Sequence, residues 1–359
     1  MELIEILNTR PYSLNKEEKR FILNSTLSNL TRYHYQNCQE YRKMLDSLGF
    51  KTEMDYEYTD LPFLPVRLFK MMDLLSVGRN EIVKTMMSSG TTNQIVSKIY
   101  LDKETASNQT RVLTKIVSSF IGNQRVPMII IDSPEIVSNR NLFSARGAGI
   151  LGFSIFGNKR IFALNEKMEL DVDLIQDFIE RNRNEKILLF GFTYIIWQHF
   201  YKELVKKGKI LNLENSILIH GGGWKKLAAE KVLSSEFKSR LEQVCSIKNV
   251  HDYYGMVEQT GNIYMECEKG YLHVPVFSDV IIRRPFDFSV ADFGEKGIIQ
   301  VLSILPHSYP GHSLITEDEG ILIGEDDCRC GRLGKYFNII GRLKNAEIRG
   351  CSDVYTAAT

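Results

Sequence analysis

The order of apolar and periodic segments predicts an α/β fold, with a large core domain of mainly parallel sheet and a smaller β-rich subdomain after it. Three observations predict this. Apolar runs at 126–131, 186–191 and 216–219 alternate with helix-periodic stretches at 172–182 and 195–207, the pattern of buried parallel strands joined by helices. Gly221, Gly222 and Gly223 follow the third run directly, at the strand end where open parallel sheets hold their ligands. After Tyr271 the texture changes to short β-type runs at 280–283, 297–302 and 320–323.

The remaining elements follow in chain order. Phe21, Ile22, Leu27, Leu30 and Tyr33 recur at helical spacing behind the acidic pair Glu17-Glu18, which predicts helices over 14–47. Leu61-Pro62-Phe63-Leu64-Pro65-Val66 breaks that pattern as an extended linker, because prolines disfavour helix in the residues before them. A strand is expected at 95–100 and a helix at 227–241. The expected division is an N-terminal helical segment (1–60), an α/β core (61–270), a β-rich subdomain (271–340), and a hinge-like segment with a tail (341–359).

Composition excludes several classes of function. With 45 basic and 44 acidic residues the chain has a formal net charge of +1, so it carries no electrostatic footprint for nucleic acid. No apolar run reaches the ~18 residues that span a bilayer, so membrane insertion is not expected. The acidic start Met1-Glu2-Leu3-Ile4-Glu5 lacks the pattern of a secretory signal, which predicts a cytoplasmic protein. Six cysteines in such a chain are expected to be reduced thiols rather than a disulfide framework.

Four segments carry the chemistry. Ser88-Ser89-Gly90-Thr91-Thr92-Asn93 gathers four hydroxyls around a glycine, a composition that suits a phosphate loop and also an ordinary surface turn. His220-Gly221-Gly222-Gly223-Trp224 offers bare backbone on which a flat ring can lie, or a tight strand-to-helix turn. Asp252-Tyr253-Tyr254-Gly255-Met256-Val257-Glu258 places an aromatic face for a purine four residues before a carboxylate able to hold Mg²⁺. Thr316-Glu317-Asp318-Glu319-Gly320 precedes Gly341-Arg342 and is either an acidic turn or a site where Asp318 accepts from two ribose hydroxyls and Arg342 supplies a fork of donors. Separately, the Cys328-Arg329-Cys330-Gly331 knuckle, with Cys267 and His273, provides the four ligands of a tetrahedral structural zinc site, or a set of reduced thiols. Cys38 and Cys245 fall in helical patterns and are read as small core residues.

In this order and spacing, the motifs SSGTTN, GGGW, YYGMVE, TEDEG and GRLKNAEIRG resemble the signature series of the adenylate-forming superfamily, and most closely its acyl-protein synthetases of the LuxE type, with phenylacetate-CoA-ligase-like features. The resemblance runs from the linker near residue 62 to the C-terminus. It implies attack of a carboxylate on the α-phosphorus of ATP to give acyl-AMP and pyrophosphate, then capture of the acyl group by a thiol. It implies that Ser88, Ser89, Gly90, Thr91, Thr92 and Asn93 hold the β- and γ-phosphates and that Gly221, Gly222, Gly223, Tyr254 and Gly255 flank adenine. Glu258 would bind magnesium, Asp318 the ribose, and Arg342 the ribose or phosphate. Val257 stands where the superfamily usually has threonine, and Glu317 where it usually has glycine.

By the same resemblance the usual small C-terminal domain is expected to be absent, and Cys351, after Gly350, matches the acyl-accepting cysteine of acyl-protein synthetases. The implied partners are a carboxylic, fatty, acid and an acyl-CoA-reductase-like protein or acyl carrier. Two alternatives stand beside this reading: an adenylating ligase that passes the acyl group to CoA or a carrier protein, and a non-catalytic nucleotide-binding subunit. Phe192, Tyr194 and Trp197 are candidates for an apolar acyl pocket by position.

Overall fold

The computed structural model describes residues 3–88, 95–138, 145–224, 227 and 230–343. In chain order the strands are β1 (Leu64–Pro65), β2 (Ile82–Met87), β3 (Lys98–Asp102), β4 (Val126–Ile131), β5 (Gly157–Phe162), β6 (Ile187–Phe192), β7 (Ser216–Gly221), β8 (Asn249–Tyr254), β9 (Tyr264–Glu266), β10 (Leu272–His273), β11 (Ser278–Arg283), β12 (Lys296–Ser303), β13 (Ser313–Glu325) and β14 (Lys335–Arg342). The main helices are α1 (Lys16–Asn37), α2 (Gln39–Ser47), α3 (Lys103–Ile121), α4 (Ala145–Ser154), α5 (Val172–Arg181) and α6 (Ser234–Cys245). Their contacts divide the chain into two compact units, one made of 3–88, 95–117 and 255–343, the other of the described part of 118–254.

The second unit is the parallel one. Its strands lie in the order β8-β7-β6-β4-β5, every pair parallel, and β6 and β7 are buried at all six positions. Such strands need helices on both faces, which explains their unbroken apolar sequences. Helix α5 starts where the Asp171 carboxylate accepts from the Leu174 amide at 3.0 Å, capping an otherwise unpaired donor. The helical stretch at 193–207 contains a π-helical segment, Ile196–Tyr201, which carries Trp197. The expected helix at 227–241 starts instead at Ser234 and runs to Cys245, where Ser246 turns left-handed with φ 57°. Leu233 is extended and ends what apolar spacing alone reads as continuous helix.

The first unit is β-rich. Its sheet runs β11-β12-β13-β14-β10-β9 with antiparallel neighbours, and the linker enters it as β1, parallel to β13 through Leu64↔Leu314 and Pro65↔Ile315. Strand β3 begins at Lys98, later than the sequence pattern suggests, because it pairs with β2 in a separate two-stranded ribbon. Helix α1 has a capping box: the Asn15 side chain accepts from the Glu18 amide at 3.1 Å, and the Glu18 carboxylate accepts from the Asn15 amide at 3.0 Å. That helix buries Ile22, Leu23, Leu27 and Leu30. Its first turn also buries Lys19, whose ammonium meets Asp279 of β11 at 3.3 Å; Lys335 of β14 reaches the same carboxylate at 2.6 Å, and the Tyr58 hydroxyl donates to it at 2.6 Å. No described helix is long and apolar enough to cross a membrane.

Candidate functional site

The three glycines after β7 serve different purposes. A Cβ on Gly221 would lie 2.4 Å from a ring carbon of Tyr253, so this position is glycine because β8 lays an aromatic across it. Gly222 has φ +78°, the left-handed region that side chains avoid, and a Cβ there would sit 3.3 Å from the Phe192 ring. Among the described residues, Gly223 has no heavy atom within 4 Å of such a Cβ. Gly222 and Gly223 are exposed, so bare peptide groups of the turn are open to a flat ligand. Tyr253 is braced by Phe153 and Phe190, with centroids at 5.3 and 6.4 Å, and Tyr254 ends β8 half-buried.

His220 anchors the start of this turn. The Thr193 hydroxyl donates to the Gly221 carbonyl at 3.3 Å and accepts from Nδ1 of His220 at 2.9 Å. This fixes the proton on Nδ1 and leaves Nε2 as a buried acceptor with no hydrogen-bond partner among the described residues. Burial lowers the pKa of the imidazole to about 3, with the charges of Lys238 and His251 acting in the same direction. Of the acyl-pocket candidates in this unit, Phe192 is buried and lies within 3.0 Å of where a Gly149 Cβ would be. Trp197 packs on Tyr201, Trp224 and Phe237, while Tyr194 lies edge-on to His199 at 6.5 Å.

In the first unit, Gly255 leads into a 3-10 turn, Val257–Gln259, that carries Glu258 with only 2% of its surface exposed. The turn is pinned on both sides. The Gln259 amide donates to the carbonyls of Val301 and Gly311 at 3.2 and 2.9 Å, and the Tyr309 hydroxyl donates to the Glu258 carbonyl at 2.9 Å. Asp318 and Arg342 are cross-strand partners on β13 and β14, and Arg342 Nε donates to Asp318 Oδ1 at 3.3 Å. Two residues 24 positions apart in sequence are thus brought into contact by register. The Asp318 amide donates to the Thr316 hydroxyl at 3.1 Å, and that hydroxyl donates to the Ile299 carbonyl at 2.8 Å, which fixes the acidic turn.

Sequence reasoning passed over Arg67. Its Nε and Nη2 approach Glu317 Oε1 at 3.0 and 2.9 Å, because β1 delivers it alongside the end of β13. The only signal was its place directly after the Pro-Phe-Leu-Pro linker. Ser88 closes the base of its loop: its hydroxyl accepts from the Ser97 amide at 2.8 Å, and its amide donates to the Ser97 carbonyl at 3.0 Å. Ser89, Gly90, Thr91, Thr92, Asn93 and Cys351 lie outside the described residues.

Cys267, His273, Cys328 and Cys330 converge as the sequence spacing suggests. Their ligand atoms all lie within 4.8 Å of one another, and the Cys330 sulfur meets His273 Nε2 at 3.3 Å. Tetrahedral zinc needs sulfurs and a ring nitrogen ~2.0–2.3 Å from the ion, and hence ligand atoms within ~4 Å of each other; three thiols and one imidazole are the right donor set, and a slight contraction from a spread of up to 4.8 Å would close them on the ion. Burial pushes the Cys328 thiol up to about 12 and the His273 imidazole down to about 4. Cys330 moves the other way: burial raises it, and hydrogen bonds from the Arg332 backbone, Cys328 and the Arg332 side chain outweigh that and lower it. Cys38 and Cys245 are fully buried, Cys38 at the junction of α1 and α2 and Cys245 in the last turn of α6, as small core residues should be.

The family described as "Acyl-protein synthetase, LuxE" matches residues 2–359, essentially the whole chain. The chain belongs to the acyl-protein synthetase family. Membership makes this synthetase an ATP-dependent, AMP-forming ligase that activates acyl groups. It is 22% identical over 351 residues to the long-chain-fatty-acid–luciferin-component ligase of Vibrio harveyi, covering 95% of this chain and 89% of that protein. The ligase of the same name from Aliivibrio fischeri is also 22% identical, over 97% of this chain and 91% of its own length. Among solved structures, the synthetase resembles 2-hydroxyisobutyryl-CoA ligase in complex with 2-HIB-AMP and CoA, with a TM-score of 0.68, 13% identity, and coverage of 94% of this chain and 72% of that one. At that identity the likeness establishes the fold, which is the adenylate-forming one.

Proposed function

We propose that the synthetase adenylates a fatty acid, the substrate class named for its bacterial relatives, and passes the acyl group to its own Cys351 for delivery to an acyl-CoA-reductase-like partner. The observation that carries this reading is the cross-strand pairing of Asp318 with Arg342, in a chain that matches its family end to end. A carboxylate oxygen attacks the α-phosphorus, the bond from that phosphorus to the bridging oxygen breaks, and pyrophosphate leaves with the electron pair. The Cys351 thiolate then attacks the acyl carbonyl and AMP departs, leaving a thioester. Thiolate is the competent nucleophile for this step.

The residues divide the work. The Ser88 hydroxyl, with the hydroxyls and amides of Ser89 through Asn93, holds the outer phosphates, and the open peptides of Gly222 and Gly223, with Tyr254 and Gly255, flank adenine. Gly221 acts indirectly by admitting Tyr253. Asp318 accepts from the ribose hydroxyls, and Arg342 bears on ribose or phosphate. Magnesium, when bound, supplies charge neutralisation at the phosphates, and the buried carboxylate of Glu258 suits that hard cation. Cys267, His273, Cys328 and Cys330 would hold a structural zinc as a four-ligand set, which would staple the β9–β10 hairpin to the Cys328–Cys330 turn and supply no catalytic chemistry. Reduced thiols and the lack of a described membrane-crossing helix fit a cytoplasmic setting.

The reading is tested by acid-dependent release of pyrophosphate from ATP and Mg²⁺. Asp318→Asn should raise the KM for ATP by roughly ten-fold or more, the scale of a charged hydrogen-bond acceptor lost to a polar ligand. Pyrophosphate release indifferent to both the acid and this substitution would overturn it.

A further inference from the structure

The glycine that usually precedes the ribose aspartate in this superfamily is here Glu317, and its carboxylate is divided between two arginines. Oε1 takes Arg67 at 2.9 and 3.0 Å, while Oε2 faces Arg342 Nη2 at 3.6 Å. The same guanidinium reaches Asp318 Oδ1 through Nε at 3.3 Å. Arg342 therefore bridges two neighbouring carboxylates, nearer to Asp318 than to Glu317. The two carboxylates are largely withdrawn from solvent, at 11% and 17% side-chain exposure, against 50% for Arg67 and 35% for Arg342. The acids are the withdrawn partners, then, and the arginines the more solvent-exposed ones.

A vicinal diol that donates to both oxygens of Asp318 competes with Arg342 for Oδ1. A guanidinium displaced from a carboxylate in a partly desolvated setting needs another acceptor at hand. We propose that Glu317 is that acceptor, a positioning residue that receives Arg342 when a ribose diol takes Asp318. The guanidinium then shifts from a long approach at 3.6 Å to a full hydrogen bond with Oε2, and stays beside the nucleotide. Arg67 keeps Oε1 occupied, which holds the Glu317 carboxylate in its orientation and tempers its pull, so that Arg342 rests on Asp318 until the diol arrives. A glycine at position 317 offers no such second seat. The proposal rests on Asp318 being the ribose ligand.

Equilibrium binding of ATP and of 2′,3′-dideoxy-ATP to the full chain, wild type and Glu317→Gln, separates the two ideas. The expected result is a Kd for ATP weakened by about three- to ten-fold in E317Q, the size of one partly exposed charge-assisted contact. Binding of the dideoxy analogue, which has no diol to displace Arg342, stays within about two-fold of wild type. Glu317→Asp restores part of the ATP affinity. If the wild type itself binds the two nucleotides equally, Asp318 does not hold the ribose, and the assignment falls together with the proposal. If the wild type prefers ATP but E317Q weakens both nucleotides equally or neither, the assignment survives and the role of Glu317 is overturned. Should E317Q fail to fold, Arg67→Gln gives the test in the opposite sense. Glu317 then loses the pull of Arg67 on Oε1, the preference for ATP over the dideoxy analogue widens, and an unchanged preference overturns the proposal.

Discussion

Tyr253 lies so close over Gly221 that this glycine and Gly223, two residues apart in one motif, should respond unequally to the same change. Gly221→Ala forces a methyl group against the ring and should cost about 1–3 kcal/mol, the usual penalty of overpacking. Gly223→Ala meets open space and should leave the melting temperature nearly unchanged. Thermal unfolding of the two variants, compared at one pH, checks this. The sequence showed that three glycines ended a strand, and it could not show which were there for packing, because that depends on a ring from the neighbouring strand. Arg67 was illegible for the same reason: its importance comes from a parallel pairing of two residues that no local pattern announces.

Buried histidines are also a matter for single residues. His312 has Nε2 on the Thr31 hydroxyl at 2.9 Å, and because that hydroxyl donates to the Leu27 carbonyl, Nε2 carries the proton and Nδ1 is left as a buried acceptor without a hydrogen bond. His34, stacked on it at 4.9 Å, donates from Nε2 to the Pro306 carbonyl and accepts from Ser76 at Nδ1. Burial lowers the pKa of His312 and of His220 to about 3 and that of His34 well below its usual value. As the pH falls through ~6.5 the unfolded chain takes up protons that the folded chain refuses, so stability is lost between about pH 6.5 and 3. Each such histidine contributes up to ~1.4 kcal/mol per pH unit in that window. Urea unfolding at pH 7 and 5.5 should show the decline, with a shallower slope in His312→Gln; equal slopes would remove His312 from the account.

At the scale of elements, helix α1 is tied to the sheet by charge as well as by apolar contact. Asp279 faces two buried ammoniums, Lys19 and Lys335, and a tyrosine hydroxyl. Asp279→Asn strands both cations and should destabilise the protein by about 3–5 kcal/mol, read as a lower urea midpoint with an unchanged slope. Helix α1 itself was legible from its acidic first turn and apolar spacing, and the parallel strands from unbroken apolar runs. The start of α6 was not, since apolar residues between Leu227 and Leu233 continue a helical rhythm through a backbone that is extended at Leu233. The β9–β10 hairpin with Cys267 and His273, and the turn with Cys328 and Cys330, make a second prediction at this scale. The purified protein should carry one equivalent of zinc by elemental analysis, and Cys328→Ser should lose it and melt lower. A protein that folds equally well with and without the metal would leave those thiols merely buried neighbours.

For the whole molecule, the order of five motifs was enough to name the family, because the spacing between glycine turn, aromatic turn, acidic turn and Gly-Arg is set by the succession of strands that carry them. Contact between Asp318 and Arg342 followed from that order only once β13 and β14 paired in register. The acyl specificity was not legible, as Phe192 and Trp197 are packed among side chains from several elements and their positions in sequence say nothing of depth or width. The central claim is that this chain both activates an acid and accepts it. Intact-protein mass after incubation with ATP, Mg²⁺ and a series of fatty acids tests it most directly, in wild type and in Cys351→Ser. The account predicts an acyl adduct that hydroxylamine removes and that C351S never forms. Pyrophosphate released with no adduct on the wild type, or an adduct that persists in C351S, would contradict it.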